Sequence, residues 1–376
     1  MSSLYLHIPF CRSKCFYCDF YSQVGSPEQL SQYVDLLCTD LRLQAEQHPT
    51  PAKIKTIFFG GGTPSLLSVS QVERLLRQIE RNLGRAADCE VTLEANPGTL
   101  DEQKLNGYRA IGVNRLSLGV QSLADPNLKL LGRGHTATDA RRSIKLARAA
   151  GFDNLSLDLI FSLPGQIPQQ LQADLEGLLE LQPQHLSLYG LSFEPGTELT
   201  ARRQQGELAE NSDEVYIDQY RLLAGWLTAA GFEHYEISNF ARPGYRCQHN
   251  QVYWRRQTCL AVGSGAHSFI STDWGERWQR PKMDAYRAKL LAAENPTELL
   301  ERFDRQTAMA ETAYLALRTA DGLSRTAFQQ RFGQFPEEAF PVAFDRLGSQ
   351  LQLHEDCYRF DLDAWLLYDH LISAFL

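Results

Sequence analysis

Three cysteines stand close together near the start of the chain. Cys11, Cys15 and Cys18 have a C-x3-C-x2-C spacing and follow a short apolar run. Thiolates at this spacing on a loop can bind three corners of a four-iron cluster, because soft sulfur ligands suit iron–sulfur centres. The fourth iron is then open to a small molecule, which indicates chemistry at the metal rather than simple electron transfer. Two alternatives stay open on the residues alone: a zinc site completed by His7 or another residue, and three unrelated thiols.

Polar side chains and glycines stand where other apolar runs end. A Gly-Gly-Gly-Thr turn at 60–63 follows the second run, Glu94 closes the third, Gln121 follows the fourth, and Asp158 lies near the end of the fifth. If the runs are parallel strands, these residues can face one mouth at the carboxyl ends of the strands. Glycines there let a backbone approach a ligand closely, and the lack of Gly-Lys-Ser/Thr argues against a nucleotide P-loop. Taken singly, a Gly-rich turn is usually only a turn, and a strand-end Asp often caps the next helix.

The elements that must position these residues repeat one theme up to about residue 192, in which a short apolar run precedes an amphipathic helix. Ser26 before Pro27 predicts one helix start, and Thr99 with Glu102 predicts a capping box at another. This alternation predicts parallel βαβ units with helices covering the sheet. Six units fit an open doubly wound sheet or an incomplete barrel, and periodicity does not choose between them. The six runs are 4–8, 54–59, 91–94, 115–119, 155–160 and 186–191.

The pattern changes after about residue 196. A helix is predicted over 213–230, followed by an irregular aromatic stretch through Trp278, and short helices are predicted from about Asn295. We therefore expect an α/β domain over 1–200, a connecting region over 201–290 and a C-terminal helical domain over 291–376.

Composition limits the classes of function. Hydrophobic residues make up 43% and charged residues 22%, which is typical of a globular protein. The net charge of −8 argues against a broad nucleic-acid surface. No apolar run reaches the roughly 18 residues of a membrane span, and neither a secretory signal nor stable membrane insertion is expected. Eight cysteines are too sparse for a disulfide scaffold, so we expect a cytoplasmic protein. Four of them are predicted to pack as small apolar side chains, and Cys247 stays unassigned; the four are Cys38, Cys89, Cys259 and Cys357.

The cysteine motif and two further segments resemble the radical S-adenosylmethionine (SAM) superfamily, and more narrowly its coproporphyrinogen-oxidase-like branch. The segments are Leu-Ser-Leu-Gly-Val-Gln-Ser at 116–122 and Leu-Asp-Leu-Ile-Phe-Ser-Leu-Pro-Gly at 157–165, and the resemblance covers almost the whole chain. It implies a [4Fe–4S] cluster on the three cysteines, with the SAM amine and carboxylate on the fourth iron and reductive cleavage of SAM to a 5′-deoxyadenosyl radical. It also implies a six-unit partial (β/α) barrel with a smaller, mainly helical C-terminal domain.

The same resemblance implies which residues contact the cofactors. Tyr5, Gly61, Glu94 and His267 match positions that contact the cluster-bound SAM. Arg133 offers a cation suited to a carboxylate, and its alternative is a solvated arginine at a helix end. The set that matches second-SAM positions of the coproporphyrinogen dehydrogenases is Tyr17, Gly62, Thr63, Gln121, Arg133 and Asp158.

The chain leaves the dehydrogenase pattern just after the cluster motif. Those enzymes have another cysteine two residues after the third ligand, where this chain has Phe20. They also carry an extension before the first strand, which we do not expect here because the first run begins at Leu4. Both departures fit the haem-chaperone group of the same branch.

A second motif agrees with that group. The segment His249-Asn250-Gln251-Val252-Tyr253-Trp254 contains His-Asn-x-x-Tyr-Trp, a hallmark of the chaperones that is proposed to serve haem binding. A histidine can give an axial nitrogen to haem iron, and aromatic rings can stack on the macrocycle. The alternative is a buried His-Asn turn with Tyr253 and Trp254 as core aromatics.

The leading hypothesis is therefore a haem chaperone that binds haem, a [4Fe–4S] cluster and SAM. It would take electrons from a reductant and pass haem to acceptor proteins. The enzymatic alternative is oxygen-independent coproporphyrinogen III dehydrogenase, which decarboxylates propionate side chains oxidatively. A third alternative, radical modification of RNA, would need a basic accessory domain, which the net charge of −8 disfavours.

Overall fold

The structure is a computed structural model that describes residues 2–47 and 53–376. Its strands, in chain order, are β1 Ser2–Ile8, β2 Phe10–Cys11, β3 Gln23–Val24, β4 Ile54–Gly61, β5 Arg85–Ala95, β6 Arg115–Gln121, β7 Asn154–Phe161, β8 His185–Gly190, β9 Glu233–Glu236, β10 Asn239–Ala241, β11 Cys259–Val262, β12 His267–Ile270, β13 Glu276–Gln279, β14 Glu298–Arg302, β15 Leu323–Ser324, β16 Gln352–His354 and β17 Cys357–Arg359. Its helices are α1 Pro27–Gln47, α2 Val69–Leu83, α3 Glu102–Ala110, α4 Asp125–Leu130, α5 Ala137–Ala149, α6 Pro168–Leu179, α7 Glu198–Gln204, α8 Asp213–Ala229, α9 Gln248–Trp254, α10 Met283–Leu291, α11 Arg305–Leu317, α12 Arg325–Phe332, α13 Pro336–Ala339, α14 Pro341–Leu347, α15 Leu362–Leu366 and α16 Tyr368–Ile372. None of these helices is long and apolar enough to cross a bilayer.

A mixed sheet of 12 strands forms the body of the described chain. Its order is β14-β13-β12-β11-β1-β4-β5-β6-β7-β8-β10-β9. The strands from β11 to β8 run parallel, and antiparallel strands extend both edges. The six strands predicted from the apolar runs are consecutive neighbours in this parallel part, as βαβ units require. The α/β class is therefore confirmed, and closure of the sheet into a partial barrel stays a prediction.

The first strand shows how the sheet separates core from site. Leu4, Leu6 and Ile8 are fully buried in the main hydrophobic core. Tyr5 and His7 lie on the opposite face, because successive side chains of a strand alternate. Their contacts there are polar, and the Tyr5 hydroxyl lies 3.0 Å from His7 Nδ1. The second face of the sheet is thus free to carry chemistry.

One of the two predicted helix starts is wrong. Helix α1 begins as predicted, because Ser26 Oγ accepts a hydrogen bond from the Gln29 N–H at 3.3 Å. Helix α3 is capped by Asp101, whose carboxylate accepts from the Lys104 N–H at 2.7 Å. Thr99 instead donates its hydroxyl hydrogen to a backbone carbonyl at 2.6 Å. Asp and Thr are both good caps, and here the aspartate is next to the helix.

The segment predicted as an irregular aromatic stretch contains regular structure. Strands β9 to β13 and helix α9 lie within it, and they extend the sheet at both edges. Strand β14 also joins the main sheet by pairing with β13. The remaining C-terminal elements are mostly helical, with a small sheet of order β15-β17-β16, and they surround a second hydrophobic cluster that includes Phe328, Phe340 and Trp365. The predicted boundaries at 200 and 290 stay predictions.

A buried ion pair joins α1 to the residue after β13. Asp40 and Arg280 are 1% and 2% exposed, and Arg280 Nε lies 2.7 Å from Asp40 Oδ2. The same oxygen accepts hydrogen bonds from the Tyr286 hydroxyl at 2.8 Å and from the Gly263 N–H at 3.0 Å. Gly263 opens the loop between β11 and β12, so the ion pair fixes the position of that loop.

Candidate functional site

A cavity of about 390 Å³ lies at the carboxyl ends of the parallel strands, and we call it the mouth cavity. It brings together every predicted site residue except Tyr5, His249 and His267. The predicted residues that line it are Cys11, Cys15, Tyr17, Cys18, Gly61, Gly62, Thr63, Glu94, Gln121, Arg133 and Asp158. Their convergence follows from the parallel sheet, because the carboxyl ends of its strands meet at one edge.

The three cysteines line the mouth cavity, Cys11 at the end of β2 and the other two on the loop that follows it. The Thr63 hydroxyl donates to Cys11 Sγ at 3.5 Å, and an Arg133 guanidinium N–H donates to Cys15 Sγ at 3.4 Å. Burial raises the pKa of the Cys18 thiol. In the described part of the chain, no group of three or more His, Cys, Asp or Glu side chains is arranged to hold a single metal ion.

The glycine turn after β4 packs directly against the cysteine loop. Gly61 has φ +114°, and a Cβ at this position would lie 2.7 Å from the His7 ring. A Cβ at Gly62 would lie 2.7 Å from the Phe10 carbonyl oxygen and 3.0 Å from Cys11 Sγ. The two 2.7 Å contacts are closer than real Cβ atoms tolerate, so glycine at both positions lets the turn pack against His7 and the residues around Cys11.

Arg133 is held inside the wall of the mouth cavity. Besides Cys15, its guanidinium donates to Asn96 Oδ1 at 2.5 Å and to the Gly119 carbonyl at 2.6 Å. This contact set excludes the alternative of a solvated helix-end arginine. The arginine thus places a fixed positive charge beside one of the three sulfurs.

Two groups in the wall lack partners. Gln121 has φ +69°, a strained conformation for a non-glycine residue, and it stands at a register shift between β6 and β7. Its amide oxygen Oε1 and Arg133 Nε are both buried without a hydrogen-bond partner among the described residues. An unmet acceptor and an unmet donor in one cavity wall fit a polar ligand.

Two carboxyl groups face the same space. Glu94 accepts a hydrogen bond from the Gly61 N–H at 3.1 Å, and burial together with the nearby Asp158 raises its pKa to about 8. Burial also raises the pKa of Asp158 to about 6, although Ser117 donates to it at 3.4 Å. A cationic ligand in the mouth cavity would favour the charged form of both groups.

Sequence reasoning missed Asn96 and Tyr189, which also line the mouth cavity. Asn96 donates to Thr63 Oγ1 at 3.0 Å while accepting from Arg133, so it joins the glycine turn to the arginine. Its signal was available, because it follows Glu94 at the end of a predicted strand. Tyr189 carried no local signal, since an aromatic residue in a strand usually packs in the core.

Tyr5 and His267 lie outside the lining of the mouth cavity. His7 Nε2 lies 3.0 Å from the Tyr21 carbonyl and must donate to it, so its Nδ1 accepts from the Tyr5 hydroxyl. Tyr5 lies beneath the glycine turn, where a Cβ on Gly60 would be 2.8 Å from its ring. His267 is exposed on β12, but the loop before it contacts the cysteine loop at Tyr21, through Ser264 Oγ at 3.1 Å.

The His-Asn-x-x-Tyr-Trp motif lies at the opposite end of the sheet. His249 is 1% exposed, and its Nδ1 and Nε2 lie 2.8 Å from Thr56 Oγ1 and 2.9 Å from the Tyr253 hydroxyl. Thr56 lies near the start of β4 and Gly61 ends the strand, so the two residues are roughly 16 Å apart along it. Both imidazole nitrogens are occupied, so His249 offers no free nitrogen to an iron in this conformation.

Comparison with known proteins places this arrangement in a family. Residues 5–178 match the Radical SAM superfamily. The chain is 34% identical over 380 residues to the protein named Heme chaperone HemW of Bacillus subtilis, with 100% of this chain and 99% of that protein covered. The chain belongs to the HemW family of radical SAM proteins. Proteins of the same name from Escherichia coli and Synechocystis are 42% and 41% identical, covering 72% and 75% of this chain and 70% and 68% of the relatives.

A solved structure extends the likeness of this HemW-family chain to the whole fold. Escherichia coli coproporphyrinogen III oxidase (HemN), described as a radical SAM enzyme, has a TM-score of 0.85 and covers 100% of this chain and 89% of its own. Sequence identity is 24%, so this likeness speaks for the fold alone.

Phe20 lies on the rim of the mouth cavity in the HemW-family chain. It lines the cavity while remaining 67% exposed, two residues after the third cysteine. The position at which the dehydrogenase pattern has a cysteine is therefore close enough to act on a ligand in the cavity. In this chain it offers an apolar ring with no thiol chemistry.

Proposed function

We propose that this protein is a haem chaperone that binds haem, carries a [4Fe–4S] cluster with SAM, and transfers haem to acceptor proteins. The observation that carries the proposal is the match to a HemW protein over 100% of this chain and 99% of that relative. Such coverage includes the His-Asn-x-x-Tyr-Trp motif and the C-terminal region as well as the part that matches the Radical SAM superfamily.

In this proposal Cys11, Cys15 and Cys18 hold three irons, and SAM occupies the fourth. Three thiols that line one cavity suit an iron–sulfur cluster, because thiolates are the usual ligands of such clusters. The glycine turn leaves room beside Cys11 that a Cβ would fill. When bound and reduced, the cluster supplies an electron to SAM, and the reductant that loads it is a further partner.

The remaining residues of the mouth cavity are proposed to bind SAM. Gly61 and Glu94 are proposed to contact the cluster-bound SAM. Tyr5 is proposed to support these two residues, and His267 is proposed to lie near the same SAM. The others are proposed contacts for SAM in the same cavity, namely Tyr17, Gly62, Thr63, Gln121, Arg133 and Asp158. An iron-bound SAM amine is neutral and can donate a hydrogen bond to Glu94. In the second set, Asp158 suits a cationic group of SAM, and Arg133 suits a carboxylate.

His249 is proposed to act by positioning rather than by ligating iron. Burial, with the positive charge of Arg115 as a smaller cause, lowers the pKa of His249 to about 3. The neutral ring stacks on Phe58 at a centroid distance of 5.1 Å and lies 6.4 Å from the Tyr5 ring. The motif thereby supports the strand pair that carries Tyr5 and the glycine turn.

The proposed location and partners of the protein agree with what its composition predicts. We propose a cytoplasmic protein with haem as cargo, haem-accepting proteins as partners, no nucleic-acid partner and no stable membrane insertion. The net charge of −8 supports the absence of a nucleic-acid partner.

The test uses one anaerobically reconstituted sample of the full chain. Haem titration is expected to shift the Soret band to saturation, and a Cys11→Ala, Cys15→Ala, Cys18→Ala variant is expected to lose iron while still binding haem. Wild-type protein that leaves the Soret band unchanged would refute the chaperone function. Incubation of the same sample with coproporphyrinogen III, SAM and reductant is expected to give no protoporphyrinogen. Its formation would establish the dehydrogenase instead.

A further inference from the structure

Two of the three cysteines in the mouth cavity accept hydrogen bonds from side chains of its wall. The Thr63 hydroxyl donates to Cys11 Sγ at 3.5 Å, and an Arg133 N–H donates to Cys15 Sγ at 3.4 Å. Thr63 ends the glycine turn after β4, whereas Arg133 follows helix α4. Two separate parts of the chain therefore place a donor against the sulfurs that are proposed to hold iron.

Asn96, directly after β5, connects these two donors. Its Oδ1 accepts a hydrogen bond from Arg133 Nη2 at 2.5 Å, and its Nδ2 donates to Thr63 Oγ1 at 3.0 Å. One amide thus contacts both side chains that reach the cysteines. Asn96 is not among the proposed contacts of the cluster or of SAM, so its place between the two donors has no role assigned to it above.

The chemistry of these groups fixes the direction of each hydrogen bond. A guanidinium can only donate, so the part of Asn96 that faces Arg133 must be the amide oxygen. The amide NH₂ then faces Thr63 and donates to its oxygen, which leaves the single hydroxyl hydrogen of Thr63 for Cys11 Sγ. The hydrogen bonds therefore run one way, from Arg133 through Asn96 and Thr63 to the first cysteine.

The backbone around Asn96 is also held by hydrogen bonds. The Asn96 N–H donates to Ser65 Oγ at 3.3 Å, and its carbonyl accepts from the Thr99 hydroxyl at 2.6 Å and from the Thr99 N–H at 3.1 Å. The Arg133 guanidinium donates in addition to the Gly119 carbonyl at 2.6 Å. Both donors are therefore preorganised toward the sulfurs by groups outside the cysteine loop.

We propose that Asn96 is a positioning residue that raises the reduction potential of the cluster by orienting Thr63 and Arg133 toward two of its sulfur ligands. Hydrogen bonds to the sulfurs are among the factors that set cluster potentials. They stabilise the reduced form more than the oxidised form, because the reduced form carries more negative charge. The positive charge of Arg133 acts in the same direction. This inference rests on the proposed [4Fe–4S] cluster and is independent of haem transfer.

The test is a redox titration of the reconstituted full chain without SAM. Dithionite is the reductant, and the electron paramagnetic resonance of the reduced cluster is the readout. Thr63→Val keeps the size of the side chain and removes the donor to Cys11. We expect about tenfold less reduced cluster, relative to oxidised, at a fixed solution potential, which is about 59 mV for a one-electron couple. Thr63→Ser keeps the hydroxyl and should keep the wild-type potential.

Asn96→Asp tests the amide itself. The new carboxylate can still accept from Arg133, but it has no hydrogen to donate, so the Thr63 hydroxyl turns to it and leaves Cys11 Sγ without this donor. The ratio of reduced to oxidised cluster should again fall about tenfold or more. Asn106→Asp is the matched control, because it adds the same charge on the exposed surface of α3 and should leave the potential unchanged.

A double variant separates the hydroxyl from the added charge. In the Thr63→Val background no hydroxyl is left to redirect, so only the charge of Asn96→Asp acts on the cluster. The shift caused by Asn96→Asp should therefore be smaller in Thr63→Val than in the wild-type background. A purely structural role of Asn96 would not produce this dependence.

The outcomes separate this inference from the cluster on which it rests. Wild-type protein that assembles no [4Fe–4S] cluster refutes both. Wild-type protein with a cluster, and unchanged potentials in Thr63→Val and Asn96→Asp, refutes the inference alone. An equal shift of Asn96→Asp in the two backgrounds also refutes it, because the effect is then one of charge. If Asn96→Asp takes up no iron, the Thr63 pair decides: equal potentials of Thr63→Val and Thr63→Ser refute the inference, and a lower potential in Thr63→Val alone supports it.

Discussion

Replacing His249 with glutamine separates a buried support from an iron ligand. The histidine is neutral in the folded protein because burial lowers its pKa to about 3, whereas an unfolded chain has an ordinary histidine pKa of about 6.5. Below pH 6.5 the unfolded state therefore binds a proton that the folded state does not. The contribution of the neutral His249 to the free energy of unfolding is complete above pH 6.5 and is lost as the pH falls towards 3.

The size of this effect follows from the two pKa values. Linkage gives a loss of about 2 kcal/mol at pH 5 relative to pH 7.5, rising to about 5 kcal/mol below pH 3. Glutamine carries no titrating proton and can still donate to one neighbour and accept from the other. His249→Gln should therefore lower the free energy of unfolding by about 1–3 kcal/mol at pH 7.5. Between pH 7.5 and pH 5 the variant should lose about 2 kcal/mol less stability than the wild type, because it lacks the titrating histidine.

The assay is urea unfolding at pH 7.5, 6.0 and 5.0, with haem titration of the folded variant at pH 7.5. His354→Gln, in the exposed hairpin of β16 and β17, is the matched control and should keep the wild-type pH dependence. A His249→Gln variant with the same pH dependence as wild type would show that the ring is not buried as described. A folded variant that has lost the iron-dependent part of haem binding would show that His249 is a ligand after all.

Three further predictions concern the mouth cavity and its support. Gly62→Ala should reduce iron loading after reconstitution, because its Cβ would lie 2.7 Å from the Phe10 carbonyl oxygen. The control is Gly225→Ala in helix α8, where the Cβ has open space and alanine should stabilise the chain by about 1 kcal/mol. Asp40→Ala should lower the free energy of unfolding by about 3–5 kcal/mol in urea, because it leaves a buried arginine unpaired. Arg133→Gln should weaken SAM binding to reconstituted protein by about tenfold or more in calorimetry, through loss of a charged donor.

Each of these predictions has a result that contradicts it. Full iron loading in Gly62→Ala would mean that the turn can move away from the cysteines. An Asp40→Ala variant as stable as wild type would mean that water reaches Arg280. Unchanged SAM affinity in Arg133→Gln, with iron content retained, would assign the arginine to the cysteine loop alone.

The sequence was informative wherever a signal repeated along one element. Six parallel strands were predictable because each apolar run is followed by a helix, and the polar residues near the ends of these strands line one cavity as expected. Strands β11 to β13 were not predicted, since each has only four residues and they pair with one another in antiparallel fashion without an intervening helix. The placement of His249 was also beyond the sequence. Its burial depends on Thr56, which lies 193 positions away in the chain and becomes a neighbour only through strand pairing.

The position of Tyr5 has a consequence for the coupling of two ligands on one chain. Its ring lies 6.4 Å from the His249 ring and would be 2.8 Å from a Cβ on Gly60, so one side chain connects helix α9 to the glycine turn. If haem binds near helix α9 and SAM at the glycine turn, the influence of one ligand on the other is a coupling free energy that this side chain can carry. The factor by which SAM alters haem affinity must then equal the factor by which haem alters SAM affinity.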